Sequence, residues 1–145
     1  MKKPRKKYRM SERTLVGRCV SKLKDFPSIR VCREVPILGR SADLAYVHNG
    51  ELFTVEFKIG DWRRALAQAR DHLLGSDYSY ICMPERRVSD QMQVELTEMG
   101  VGLVFYREDA NWPFAEVIKA RPSEEKWEVA RAWALEYIEQ NEGKA

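Results

Sequence analysis

The stretch Asp43-Leu44-Ala45-Tyr46-Val47-His48-Asn49-Gly50-Glu51-Leu52-Phe53-Thr54-Val55-Glu56-Phe57-Lys58 reads as two short strands joined by a tight turn. Asn49-Gly50 readily supplies the two positive φ angles of a type I′ hairpin. A two-residue loop pairs His48 with Glu51, and each step outward pairs the next residues until Asp43 stands opposite Glu56. Opposed side chains share a sheet face with Cβ atoms about 5 Å apart, and Lys58 joins that face because side chains alternate with period 2. Two carboxylates so placed repel each other and weaken the hairpin. A divalent cation held between them reverses that sign. On the other face the same register pairs Leu44 with Val55, Tyr46 with Phe53 and Ala42 with Phe57, an apolar set suited to a core. Val47 opposite Leu52 argues that the acidic face is partly covered too, its polar end open to a cleft. The bland alternative is a pair of solvated strand acids.

At 145 residues, 44% hydrophobic and with four tryptophans, the chain suits one domain whose core needs neither disulfide nor structural metal. Cys19, Cys32 and Cys82 are odd in number and widely spaced among apolar neighbours, so they read as reduced core thiols of an intracellular, cytoplasmic protein. A zinc site is disfavoured, because there is no CxxC and only His48 and His72 could join them. No run approaches the length of a membrane span, and the first residues lack the apolar block of a signal peptide.

The formal net charge of +3 is segregated. Residues 1–9 carry Lys2, Lys3, Arg5, Lys6, Lys7 and Arg9 with no acid, and the remainder holds 19 basic against 22 acidic residues. Residues 1–10 therefore read as a flexible basic arm on a mildly acidic domain spanning 11–145. Such an arm suits contact with a nucleic-acid backbone, each cation neutralising a phosphate and releasing counterions. A solubility tail would look the same.

Ser11 is placed to cap a helix buried through Leu15, Val16, Cys19, Val20 and Leu23. Residues 29–37 read as a strand leading through Leu38-Gly39-Arg40 to the hairpin. Asp61 caps a helix to about Leu74, with Trp62, Leu66, Ala69 and Leu73 inward and Gly75 as its stop. Tyr78–Met83 is a strand, Ser89–Met99 a capped helix ended by Gly100, and Val101–Tyr106 a fifth strand. A short strand at 114–119 precedes a last helix, expected from Ser123 with Trp127, Ala130, Ala134, Tyr137 and Ile138 buried. The order αβββαβ, then αβ and a closing helix, predicts an α/β fold with a mixed sheet flanked by helices.

Ser41-Ala42-Asp43, twelve intervening residues, then Glu56-Phe57-Lys58, set in that element order, resembles the PD-(D/E)xK nucleases with their restriction-endonuclease-like fold. The similarity spans roughly residues 11–106. Its first half is most similar to archaeal Holliday-junction resolvases, through Glu12-Arg13-Thr14-Leu15-Val16 at the start of the first helix. Ala42 replaces the proline of the motif, and the region beyond Tyr106 has no counterpart in the resolvases.

The resemblance implies a Mg²⁺-dependent endonuclease acting on DNA, with Mn²⁺ as substitute, selective for branched structures and active as a homodimer. It implies Asp43 and Glu56 as metal ligands together with the Phe57 carbonyl, and Lys58 as the catalytic cation. Mg²⁺ prefers oxygen ligands and keeps several waters, so one or two carboxylates suffice to hold it. Glu12 would add a further carboxylate by resemblance, and equally reads as a favourable charge in a helix's first turn. Gln68 and His72, four apart on the helix after the motif, match the Gln-x-x-x-Tyr of RecB-type relatives with His72 in the tyrosine position. Gln68 would then help position lysine or phosphate, or else is a polar boundary residue, and His72 reads as structural or as a substrate contact. Arg40, Arg63, Arg64 and Arg70 would widen a phosphate-binding surface, or are solvated helix arginines. The alternative function is a non-catalytic DNA-binding or assembly module that retains the fold, and the arm would serve RNA as well as DNA.

Overall fold

The computed structural model describes residues 10–142. Its elements are α1 (Glu12–Lys24), β1 (Arg30–Ile37), β2 (Arg40–His48), β3 (Glu51–Phe57), α2 (Trp62–His72), β4 (Tyr78–Met83), α3 (Asp90–Met99), β5 (Gly102–Tyr106), β6 (Phe114–Ile118) and α4 (Glu128–Asn141). The expected α/β order is present, with the short strand near 114 included. Asn49 and Gly50 adopt φ of 54° and 78°, and β2 pairs β3 in the expected register from His48–Glu51 to Leu44–Val55. The turn type fixes that register, because a one-residue slip would send every side chain to the other face.

The first three helices start where side chains cap them. Ser11, Asp61 and Ser89 accept from the amides of Thr14, Arg64 and Met92, and Gly100 closes α3 with φ of 77°. α4 departs from expectation. It begins at Glu128 rather than Ser123, and Trp127, expected inside, is about half exposed. Tertiary hydrogen bonds hold the preceding segment extended: Ser123 N donates to Asp77 O at 2.8 Å, Ser123 Oγ to Leu73 O at 2.6 Å and Trp127 N to Leu74 O at 2.7 Å. Ser123 is thus spent on α2 and β4 instead of capping α4. Gly75 likewise serves packing, not a left-handed helix stop, since a Cβ there would stand 2.8 Å from Ile37 Cγ2 and 3.3 Å from Ala130 Cβ.

The six strands form one sheet in sequence order, with β3, β4 and β5 parallel and the remaining neighbours antiparallel. α1 packs on one face through Leu15, Val16, Cys19 and Leu23 against Leu44, Tyr46, Val55 and Phe57. On the opposite face α2 and α3 pack against Ile81, Met83 and Leu103, and α4 against Cys32, Ala45 and Leu52. All three cysteines are buried thiols.

One expected pairing fails, and its failure shapes the molecule. In a regular strand Ala42 and Leu44 would share a face. Ala42 instead packs on the α4 side with Val35 and Ile37, while Leu44 packs on the α1 side. Both strands turn over at the same level, between the pairs Arg33–Leu44 and Val35–Ala42. Glu34, between them on β1, has φ of 50°, a left-handed conformation costly for any residue with a Cβ. Ala42 therefore never meets Phe57. Asp43 lies at the turnover, at the end of the regular β2–β3 ladder.

α4 is tied to the sheet by a salt bridge at Asp77. Its carboxylate accepts from Leu52 N at 2.7 Å, from Arg131 Nε and Nη2 at 2.9–3.1 Å, and lies 3.1 Å from Lys126 Nζ. Arg131 Nη2 also donates to Gly50 O at 3.0 Å, joining α4 to the hairpin turn. Removing a charged hydrogen-bond partner from a part-buried carboxylate costs roughly 1.5–3 kcal/mol. Arg131→Ala is expected near the low end of that range, because Lys126 remains. Urea unfolding should show a lower midpoint with an unchanged slope; a loss under about 1 kcal/mol would show that Lys126 alone neutralises Asp77.

Candidate active site

Beyond the last ladder pair the side chains take over the pairing. Asp43 Oδ2 accepts from Phe57 N at 2.8 Å, and the Glu56 carboxyl stands close enough to Asp43 to feel its charge. The expected meeting of the two acids is present, carried by side chains at the turnover. Burial, then the charge of Asp43, pushes Glu56 up to about 8. Burial raises Asp43 as well, with Glu12 and Glu34 adding repulsion and the Phe57 amide opposing it. At neutral pH such a pair retains a proton unless a cation takes its place.

Lys58 follows on from β3, its ammonium 4.0 Å from Glu12 Oε1 and close enough to Glu56 to stabilise the ionised carboxylate. Glu12 Oε2 accepts from Ile59 N at 3.1 Å. The start of α1 is thereby fixed to the end of β3, and Glu12, Asp43, Glu56 and Lys58 come together. Phe57 belongs to this group through its amide, its ring being buried under α1.

On the α2 side His72 is 1% exposed, and its Nδ1 stands 3.6 Å from Glu56 Oε1. Neither atom has a hydrogen-bond partner. Burial pulls His72 down to about 4, with Asp71 opposing and Arg40 adding, so the ring is neutral at physiological pH. His72, Gln68, Arg40 and Ser41 line a cavity of about 380 Å³. Arg40 is paired with Asp71 at 3.3 Å. A larger cavity of about 640 Å³ opens in front of Asp43, between the start of α1 and the end of α4. Arg13, Arg33 and Glu34 line it beside Glu12 and Asp43.

Two of these were not singled out from sequence. Arg33 and Glu34 sit in a strand whose pattern gave no sign of a positive φ, so nothing marked them as facing Asp43. Arg63 does not join the site, since it stacks on Trp62 at 4.4 Å and pairs with Glu95 at 3.6 Å. Lys2, Lys3, Arg5, Lys6, Lys7 and Arg9 lie outside the described residues.

The donor set suits a small hard cation. Two carboxylates meet in a half-enclosed position, and Glu56 keeps a buried oxygen without a partner. Among the described residues no three His, Cys, Asp or Glu side chains gather to hold a metal. An ion here would therefore complete its shell with backbone oxygen, water or substrate, as Mg²⁺ commonly does.

No family model matches the chain, and no curated protein does. Among solved structures, the crystal structure of an XisH family protein from Nostoc punctiforme is similar over 71% of this chain and 98% of its own, with 14% identity and a TM-score of 0.53. That likeness supports the fold, an α/β sheet flanked by helices, and extends to nothing finer. No helix among the described residues is long and apolar enough to cross a membrane.

The raised Glu56 and lowered His72 predict how stability varies with pH. Between its ordinary 4.5 and about 8, Glu56 binds more proton when folded, so it costs stability as pH rises. Between about 4 and its ordinary 6.5, His72 binds less proton when folded, so its contribution grows with pH. The two oppose each other at mildly acidic pH, and above 6.5 only Glu56 acts. Melting temperature in EDTA should be nearly level from pH 5 to 6.5 and fall from 6.5 to 8. Mg²⁺ should shrink that fall and Glu56→Gln should abolish it, as differential scanning fluorimetry will show.

Proposed function

We propose that the chain is a divalent-cation-dependent endonuclease hydrolysing DNA phosphodiester bonds, of the PD-(D/E)xK kind suggested by its motif. The observation that carries this reading is the meeting of Asp43 and Glu56 at the end of the β2–β3 ladder with Lys58 and Glu12 beside them. Bound there, Mg²⁺ or Mn²⁺ would supply a water of lowered pKa and positive charge for the phosphate. Asp43 and Glu56 would hold the ion. Lys58 would orient the attacking water or donate to a phosphate oxygen as charge develops. Glu12, anchored by the Ile59 amide, would keep the lysine at the strand end. A neutral His72 carrying its proton on Nδ1 would donate to Glu56 Oε1 once that carboxylate ionises. Arg13 and Arg33 would receive flanking phosphates in the larger cavity, and Gln68 and Arg40 in the smaller.

The deciding experiment is cleavage of linear, single-stranded, flap and four-way-junction DNA with Mg²⁺, Mn²⁺ or EDTA. Asp43→Ala, Glu56→Ala and Lys58→Ala are each expected to lower cleavage about 100-fold or more while DNA binding largely survives. Near-normal cleavage by Asp43→Ala in Mg²⁺ would refute the reading. Binding without cleavage by the unaltered chain, on every substrate and ion, would establish a non-catalytic module instead.

Deleting residues 1–9 removes six positive charges. DNA affinity should drop, and the dependence of log K on log[salt] should flatten by about 0.9 per lost phosphate contact. Unchanged affinity and slope would leave binding to the cavities alone.

A further inference from the structure

The face of the sheet that carries α1 holds a third cavity, opposite the Asp43–Glu56 side and independent of the nuclease reading. α1 packs mainly over β1 to β3, and the loop from Arg107 to Pro113 closes on itself beside it through Arg107 N donating to Pro113 O. Lys22 of α1 secures this loop through the carbonyls of Glu108 and Ala110. Beneath it lies a space of about 260 Å³, smaller than the roughly 300 Å³ at which pockets for drug-sized ligands begin. Its walls are mainly aromatic. Tyr46 and Phe53 stack across the hairpin at 4.7 Å, and Trp112 stands edge-on to Tyr46 and to Phe114, both at 5.9 Å. His48 lines it too.

The acid among its lining residues is Glu116. Its Oε2 accepts from the Tyr80 hydroxyl at 2.7 Å, and its Oε1 has no hydrogen-bond partner among the described residues. Tyr80 reaches this position because residue 102 is glycine. A Cβ there would overlap the Tyr80 ring and stand 2.7 Å from the Ala120 nitrogen. No lysine or arginine lines the cavity.

We propose that this cavity binds an organic cation, a trimethylammonium or similarly alkylated ammonium head group. The faces of several aromatic rings carry negative quadrupole charge, and a carboxylate at the rim adds to the same attraction. A nucleobase would also stack on such rings, but its phosphate would meet an acid and no basic side chain. The small volume suits a head group on a thin stem, as in choline or the side chain of trimethyllysine.

The test is a titration of the full-length protein with choline and, separately, with its neutral isostere 3,3-dimethyl-1-butanol, followed by calorimetry and tryptophan fluorescence. A trimethyllysine peptide and its unmethylated twin form the second pair. Choline or the methylated peptide should saturate the site, and which of them binds tighter identifies the source of the head group. The uncharged isostere should bind about tenfold more weakly or worse, the factor that one well-desolvated cation–π contact supplies. Glu116→Gln should weaken cation binding severalfold without altering far-ultraviolet circular dichroism, and Trp112→Phe should remove the fluorescence response. Equal binding of cation and isostere would overturn the proposal by making the cavity merely apolar. So would the absence of saturation by both choline and the methylated peptide, or full affinity in Glu116→Gln.

Discussion

The Asn49–Gly50 turn sets the register on which everything near the site depends. With two residues at positive φ, the hairpin closes in one alignment, and that alignment brings Asp43 within reach of the Phe57 amide. A slip by one residue would reverse the faces of β2 and drive Leu44 and Tyr46, both buried on the α1 side, into the space that Ala45 fills beneath α4. The apolar pairs thus hold the acids in place against their own repulsion. Local chemistry that opposes folding is tolerated where its surroundings over-determine it.

Glu34 shows how that surplus is spent. A left-handed glutamate in mid-strand, facing an aspartate, is unfavourable twice over: once in backbone conformation and once in charge. Its effect is to rotate β1 and β2 together, so that Val35, Ile37 and Ala42 pack under α4 while Leu44 stays under α1. The two faces of the sheet draw their cores from one strand pair. Between them, where neither core claims the side chains, lies the larger cavity with Asp43 in its wall.

Much of this was legible in the chain itself. Hairpin register, the three capped helices and the Gly100 stop all follow from local rules, and here nothing tertiary opposed them. Asp43, Glu56 and Lys58 could be grouped because strand alternation and a fixed turn are enough to place them, whereas Glu12, on α1, entered through the family resemblance alone. What stayed hidden depends on contacts far along the chain. Ser123 has every local mark of a helix cap, yet Leu73 and Asp77 claim it. Arg33 and Glu34 looked like ordinary strand residues until a positive φ redirected them. His72 was legible as a neighbour of Gln68, but not as a buried ring facing an oxygen that lacks a partner.

The Arg131 side chain joins the Gly50 carbonyl and the Asp77 carboxylate across separations of 81 and 54 residues. On a ribosome adding about 5–20 residues per second, the turn therefore waits some 4–16 s for its arginine. The hairpin, α1 and the parallel strands can assemble during that interval from nearer contacts. α4 then arrives as a late addition, bringing Tyr137 and Asn141 to the cavity in front of Asp43. A nascent chain thus carries its acidic pair before it has the outer wall of the cleft in front of Asp43, and synthesis of α4 completes the enclosure.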